Sequence, residues 1–594
     1  MALSLVAAGL VSSHPRCELH VQNQLQNRSS LPRYSSPLLK PLLAEDFSAA
    51  AQPRFAPHET WSRLAQQTAS GYAVRIVVLG SSTTAGCGAL SPSRLCDTGL
   101  SWARRMHDAL CRAQTSHSSD VQHAERLHVS TKEYESEAKD GASPEEVAAS
   151  VSPNLALEAV AASARAKRRS AGETTFEPLR KPAGALVTPM QLRTRIFAKN
   201  AVTISFYAHC TELYVPEDTD VLILEAFQSW FEGIEAVVDG VSALRRRAPN
   251  ALLLFVYWPD PHDRIVNSRT SLAVVRDLAA KTRADVLDAP SLIARASALS
   301  NKNGMISSHS SRLHDINSHW FACHAQSAGG CRPDHHPSAA GHQLLAELVS
   351  HHISRGLADT RGKGSPTLLA PSTAQPEEMT EERCFTTGGS LPVVHPAEGW
   401  ALRDEGGGKG VVKQGYVSKQ PGAVLELGPI PSLPSVLRSW QACSHMSAAM
   451  VRLGYHAQSS YDQGSFRITC QGGCQCLQVR GYMAATSAPF PVVHTRLDSS
   501  VYGNMSVTMS TEFMAELGGA GGECRLKVQH LSNGVTHTRV RIDWLSLRRA
   551  NAADLKNANF SHDERYARFV RLGLGLPQKT DCTYRHSMAV SSNS

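Results

Sequence analysis

The stretch Val74-Arg75-Ile76-Val77-Val78-Leu79-Gly80-Ser81-Ser82-Thr83-Thr84-Ala85-Gly86 carries an apolar run directly into a turn of small hydroxyl residues. The uninterrupted run Ile76 to Leu79 has the pattern of a strand buried on both faces, not one that alternates toward solvent. Downstream, Leu100-Ser101-Trp102-Ala103-Arg104-Arg105-Met106-His107-Asp108-Ala109-Leu110 spaces its apolar residues as a helix does. In an open parallel sheet, ligands bind beyond the carboxyl ends of the strands. A serine at that end is where a nucleophile is wanted. The plainer reading is a turn whose Ser and Thr side chains bond nearby backbone groups.

A second segment tips the balance toward chemistry. In Arg332-Pro333-Asp334-His335-His336-Pro337-Ser338-Ala339-Ala340-Gly341-His342-Gln343-Leu344-Leu345-Ala346-Glu347-Leu348-Val349, Pro337 suits the first turn of a helix. The residues after it keep helical spacing through Val349. That leaves His336 in a loop just before a helix, with Asp334 two residues earlier. A serine hydroxyl is a weak nucleophile near neutral pH, so it needs an imidazole to take its proton and a carboxylate to orient that imidazole.

These two segments resemble the first and last blocks of the SGNH (GDSL-type) hydrolases. Gly80-Ser81-Ser82-Thr83-Thr84-Ala85-Gly86 is similar to Gly-Asp-Ser-x-Thr-x-Gly, and Asp334-His335-His336-Pro337 to the closing Asp-x-x-His block. Carried over residue by residue, the resemblance implies Ser82 as nucleophile, His336 as base and Asp334 as the orienting acid. It covers roughly residues 70–355. Thr84 stands where the α/β-hydrolase elbow Gly-x-Ser-x-Gly needs glycine, so that elbow is not the match.

The chain departs from the family pattern at several positions. Ser81 replaces the aspartate of the first block. The second block normally supplies a glycine amide, but Asn200-Ala201-Val202-Thr203-Ile204-Ser205 holds no glycine. The third block should follow Asp220-Val221-Leu222-Ile223-Leu224-Glu225; there the chain reads Ala226-Phe227-Gln228-Ser229-Trp230, with Ser229 at the place of the family's asparagine. The family's acid usually sits three residues before the histidine, where this chain has Pro333. Ser82, Asn200 and Ser229 are therefore the oxyanion-site candidates, and losing one built donor typically costs about 10²–10³ in turnover.

With 594 residues the chain is too long for one core. Its net charge of +8 is mild for that length, and the basic residues form no stripe with interleaved aromatics, which argues against nucleic acid as a partner. Arg245-Arg246-Arg247 closes an expected helix, where cations favour the helix dipole. Fourteen cysteines lean toward an oxidising compartment. Cys87 with Cys96 and Cys323 with Cys331 flank short loops beside the two candidate site segments. Sequons at Asn27, Asn504 and Asn559 fit secretion. The apolar start Met1 to Ser13 lacks a basic n-region, so it fits a weak signal peptide or an organellar transit segment. A secreted or secretory-pathway location is the expectation, an organelle the alternative. No stretch approaches 18 uninterrupted apolar residues, so no transmembrane helix is expected.

The fold expected is α/β: a flavodoxin-like doubly wound parallel sheet, as in the SGNH hydrolase fold, followed by an all-β sandwich-like domain. Residues 1–70 are expected to be a poorly ordered segment. Residues 71–355 form the α/β domain, with a flexible insertion at about 113–193 whose composition is Ala, Ser, Glu and Lys. Strands are expected at 74–80, 201–207, 220–225, 251–257 and 284–288, and helices at 99–112, 231–247, 270–281 and 337–353. Strands alternating with helices imply parallel pairing. A Gly/Pro/Ser-rich linker spans 356–382, short β runs between turns span 383–549, and a polar tail spans 550–594.

In Cys470-Gln471-Gly472-Gly473-Cys474-Gln475-Cys476, pairing with Cys524 or Cys443 is preferred over a zinc site, since no fourth ligand stands nearby. No metal or cofactor is expected. His335 and His342 read as helix-start neighbours of the base, and His351-His352 as cations near a helix end. Trp230, Trp258, Trp400 and Trp440 are weighed as sugar-stacking residues or, more simply, as core. The resemblance implies a serine esterase that removes an O-acyl group from carbohydrate or acts on another ester. The alternatives are an O-acyltransferase, and a degenerate member that binds glycan without turnover.

Overall fold

The computed structural model describes residues 17–22, 42, 44–52, 54–89, 96–112, 191–199, 202–225, 234–258, 272–302, 319–325, 331–360, 383–387, 389–394, 398–405, 413–430, 447–460, 462–472, 474–478, 492–497, 506–517, 523–532 and 538–549. Six parallel strands form the first sheet: β1 (Cys17–Gln22), β2 (Ala73–Gly80), β3 (Gln191–Ala198), β4 (Val221–Glu225), β5 (Leu252–Tyr257) and β6 (Asp285–Asp288). Their order across the sheet is β1-β3-β2-β4-β5-β6. Apart from the edge strand β1, this is the flavodoxin-like order 2-1-3-4-5.

Both faces of the sheet are covered, which is why β2, β4 and β5 read as unbroken apolar runs. Val74, Ile76 and Val78 point into one core with Trp61, Trp102, Leu344 and Leu348. Val77 and Leu79 point into the other with Phe206, Val237, Val241 and Leu278. The helices His58–Ala69, Ala289–Lys302 and Ala339–Thr360 and the helical residues 102–112 supply the first layer; Ile204–His209, Ile234–Arg247 and Leu272–Thr282 supply the second.

Several expectations are corrected. The N-terminal segment expected to be poorly ordered supplies β1 and two helices, Ala44–Ala50 and His58–Ala69. The Cys17–Cys111 disulfide ties β1 to the helix that follows β2. The strand that follows β2 in sequence is 191–198, not 201–207. Residues 204–209 are helical instead, because the chain must cross over a face of the sheet to reach β4, and burial of Ile204, Phe206 and Tyr207 outweighs their strand propensity. Within the expected insertion, residues 113–190 lie outside the described residues. The closing helix is Ala339–Thr360, running past the end expected for it.

The remaining strands build two antiparallel sheets and a hairpin. The hairpin pairs β7 (Phe321–Ala325) with β8 (Cys331–Pro337). One larger sheet contains β9 (Arg383–Thr386), β10 (Trp400–Asp404), β11 (Gln414–Ser418), β13 (Ser447–Gln458), β15 (Cys474–Gln478), β17 (Ser506–Leu517) and β19 (Val540–Arg549). The other contains β12 (Val424–Ile430), β14 (Ser465–Gly472), β16 (Val492–His494) and β18 (Cys524–Leu531). Inward residues of both share one core that includes Leu425, Leu453, Phe466, Val528 and Ile542. Cys470–Cys476 and Cys474–Cys524 close the cysteine cluster. Trp258 and Trp400 are core residues, and Trp230 and Trp440 lie outside the described residues.

The β-rich part is attached to the α/β layer by more than the chain. Cys384 is disulfide-bonded to Cys210, and both Cys384 and Trp544 belong to the second core of the α/β sheet. The Trp544 ring lies edge-on to Phe206 at 5.8 Å.

Candidate active site

The turn after β2 lies at the crevice where the connection from β2 leads to one side of the sheet and that from β4 to the other. Such a switch point is the usual ligand site of an open α/β sheet. Three features hold the turn there. The Gly80 carbonyl accepts the Tyr207 hydroxyl at 2.7 Å and the Lys199 N–H at 3.2 Å. Next, Ala85 N–H donates to Ser81 O at 3.0 Å, Gly86 N–H to Thr83 O at 3.1 Å and Cys87 N–H to Ser82 O at 3.0 Å. Finally, Gly86 takes a positive φ of 79°, and the Asp97 carbonyl occupies the place a side chain would need.

A further anchor is a carboxylate at the end of β4. Glu225 Oε2 accepts the Ser81 N–H at 2.8 Å, the Ser81 hydroxyl at 2.9 Å and the Thr84 hydroxyl at 3.3 Å. Burial pushes the Glu225 carboxyl above the usual range, while the Ser81 and Thr84 hydrogen bonds oppose that rise. The turn's hydroxyls thus divide into two sets. Ser81 and Thr84 bond Glu225, whereas among the described residues the Ser82 and Thr83 hydroxyls and the Ser82 N–H have no hydrogen-bond partner. Ser82 is 6 % exposed.

His336 is in β8, not in the loop expected from sequence; pairing with β7 carries the extended backbone up to Pro337. Ser338 follows as the cap of the next helix, its hydroxyl accepting the Gly341 N–H at 3.2 Å and donating to the His319 carbonyl. The loop after Ser82 reaches this strand. A methyl group at Gly88 would lie 2.9 Å from His336 Cβ and 2.6 Å from the Pro337 carbonyl oxygen. The structure thus brings the loop after Ser82 and the strand carrying His336 into contact. Asp334 belongs to β8, and its side chain lies outside the described residues, as do Asn200 and Ser229.

Two residues to which the sequence assigned no role in holding the turn complete the frame. His342 is fully buried; its Nδ1 accepts the Trp102 N–H at 3.2 Å, so its Nε2–H donates to the Cys87 carbonyl at 3.2 Å. Burial pushes its pKa down to about 3, so it stays neutral and acts as a brace. Glu225 is the other. Its signal in the sequence was an acidic residue closing a strand otherwise made of Val, Leu and Ile. The Cys87–Cys96 disulfide expected beside the turn is present. The side chains of Cys323 and Cys331 lie outside the described residues.

No protein-family model matches the chain, and no curated protein sequence is significantly similar to it. Among solved structures it is similar to a two-domain esterase active on acetylated mannans, with 12 % identity over 84 % of this chain and 97 % of that one, at a TM-score of 0.42. The same esterase co-crystallized with mannopentaose gives 11 % identity, the same coverage and a TM-score of 0.41. A peptidoglycan O-acetylesterase aligns over 52 % of this chain and 99 % of its own, with 11 % identity and a TM-score of 0.26.

Proposed function

We propose that this chain is a serine esterase acting on an O-acyl group, with carbohydrate as the acyl carrier that its SGNH-like motifs imply. What supports it is the partition of hydroxyls at the switch point. Ser81 and Thr84 spend their hydroxyls on Glu225, whereas among the described residues the hydroxyls of Ser82 and Thr83 have no hydrogen-bond partner, and of these two Ser82 stands at the serine of the motif. Ser82 therefore keeps its Oγ for attack on an ester carbonyl and its N–H as one donor for the oxyanion that forms. His336, on the strand against which the nucleophile loop packs, takes the Ser82 proton and returns it to the leaving alcohol. Water then releases the acyl group from Ser82. Asp334 is assigned the orienting role, and Asn200 and Ser229 the further oxyanion donors. We assign the chemistry to residues 71–355 and a separate β-rich unit to 383–549. The five disulfides among the described residues suit an oxidising compartment, which favours the secretory pathway.

The test is covalent labelling with a fluorophosphonate, followed by release of acetate from acetylated polysaccharide. Wild type is expected to label, and Ser82→Ala to lose both labelling and release. A folded wild type that does not label but binds the polysaccharide would replace the esterase with a glycan-binding protein.

A further inference from the structure

We propose that Glu225 is the positioning residue of the nucleophile turn, fixing where Ser82 Oγ stands relative to the histidine strand. The proposal rests on the esterase reading and adds to it a residue outside the family's motif blocks. Glu225 is 4 % exposed and ends β4, the strand on the far side of the crevice from β3. One of its oxygens gathers the donors on both sides of Ser82: the N–H and hydroxyl of Ser81 before it, and the hydroxyl of Thr84 after it. The other, Oε1, is buried and has no hydrogen-bond partner among the described residues. Three donors converge on one buried oxygen, so the position of that acceptor sets the position of the turn.

Packing leaves the turn little room to shift. Gly80 has no room for a side chain, because the space for a Cβ is taken by the Thr84 side chain with the Glu225 Cβ 3.1 Å away. The turn is thus seated on Glu225 from below and against the 336–337 backbone at Gly88 from the side. A shift of the carboxylate moves the segment Ser81 to Thr84 as a body, and with it the line from Ser82 Oγ to the base. Glu225 touches no reacting atom; it acts through Ser81 and Thr84. Displacements of about 1 Å at an attacking atom cost on the order of 10²-fold in rate.

The experiment compares the second-order rate of fluorophosphonate labelling at Ser82, and kcat and KM on a soluble aryl ester, for wild type, Glu225→Gln, Glu225→Leu and Glu225→Asp. Melting temperatures identify the folded variants. Glu225→Gln keeps an acceptor in the same place and is expected to label within about threefold of wild type. Glu225→Leu is expected to label about 10²-fold more slowly, with kcat reduced and KM unchanged. Should Glu225→Leu not fold, Glu225→Asp decides, because the carboxylate then stands one methylene short of Ser81 and Thr84. Slow labelling of that variant supports the role, and wild-type labelling overturns it. A folded Glu225→Leu that labels at the wild-type rate likewise overturns the proposal and leaves the esterase intact. A wild type that never labels removes the esterase reading itself.

Discussion

The Nε2–H of His342 points at the Cys87 carbonyl oxygen from 3.2 Å, joining the first turn of the long closing helix to the loop that carries Ser82. The bond requires a neutral imidazole with Nδ1 unprotonated, because Trp102 N–H already donates to Nδ1. Protonation would turn an acceptor into a donor facing a donor. The folded-state pKa, about 3 against an ordinary 6.5, is depressed by burial, so the unfolded chain binds this proton more readily. Its contribution is intact above about pH 6.5 and is lost as pH falls toward 3. His342→Gln is expected to melt lower than wild type at pH 7 and to lose less on acidification to pH 4. Differential scanning fluorimetry across that range checks this; parallel curves for the two proteins would contradict it.

Asp285 gives a second acid-labile point, away from the turn. Its carboxylate accepts the Phe55 and Ala56 N–H groups at 2.8 Å each, His352 Nε2–H at 3.0 Å and Trp61 Nε1–H at 3.3 Å. Burial pushes its pKa up, but the His352 hydrogen bond and the backbone donors prevail, and the net shift is downward. The stability it contributes is present above its unfolded value of about 3.8 and disappears as pH falls through the lower folded value. Asp285→Ala is expected to cost on the order of 3 kcal/mol at pH 7, since four donors lose one acceptor. Urea unfolding at pH 7 measures it.

The Cys87–Cys96 bridge closes a short loop next to Ser82, and the Cys87 backbone bonds both Ser82 and His342. The double variant Cys87→Ser/Cys96→Ser is expected to lose about 2 kcal/mol and to label more slowly with fluorophosphonate than wild type at equal folded fraction. An unchanged labelling rate would show that the turn holds its geometry without the bridge.

Gly356 offers a contrast, because it serves packing alone. The Trp61 ring fills the space where its Cβ would stand. Gly356→Ala is expected to destabilise by about 1–3 kcal/mol through overpacking, with the labelling rate per folded molecule unaltered. Thermal melts and labelling kinetics on the same preparation separate the two effects.

The sequence made the central strands legible because β2, β4 and β5 are buried on both faces and need no partner to be recognised. It hid β3, where Leu192, Thr194 and Ile196 alternate with Gln191, Arg193 and Arg195 at the end of a polar stretch. It also hid β1, whose place beside β3 is a long-range pairing that no local pattern encodes. At the candidate site, the motifs make Ser82 and His336 readable as candidates. The hydrogen bonds of Glu225 and His342 are not legible there, since their partners lie 144 and 255 residues away along the chain. The secondary structure around His336 was misjudged for a similar reason: a hairpin partner, absent from the local window, keeps residues 331–337 extended.

The cross-link between Cys210 and Cys384, with Trp544 set among the helices behind β4, has a consequence for anyone dissecting this chain. The last strand of the β-rich part plugs a hydrophobic socket of the parallel layer, so a fragment ending before residue 383 would expose Phe206 and leave Cys210 as an unpaired thiol. The two architectures should melt together as one calorimetric event.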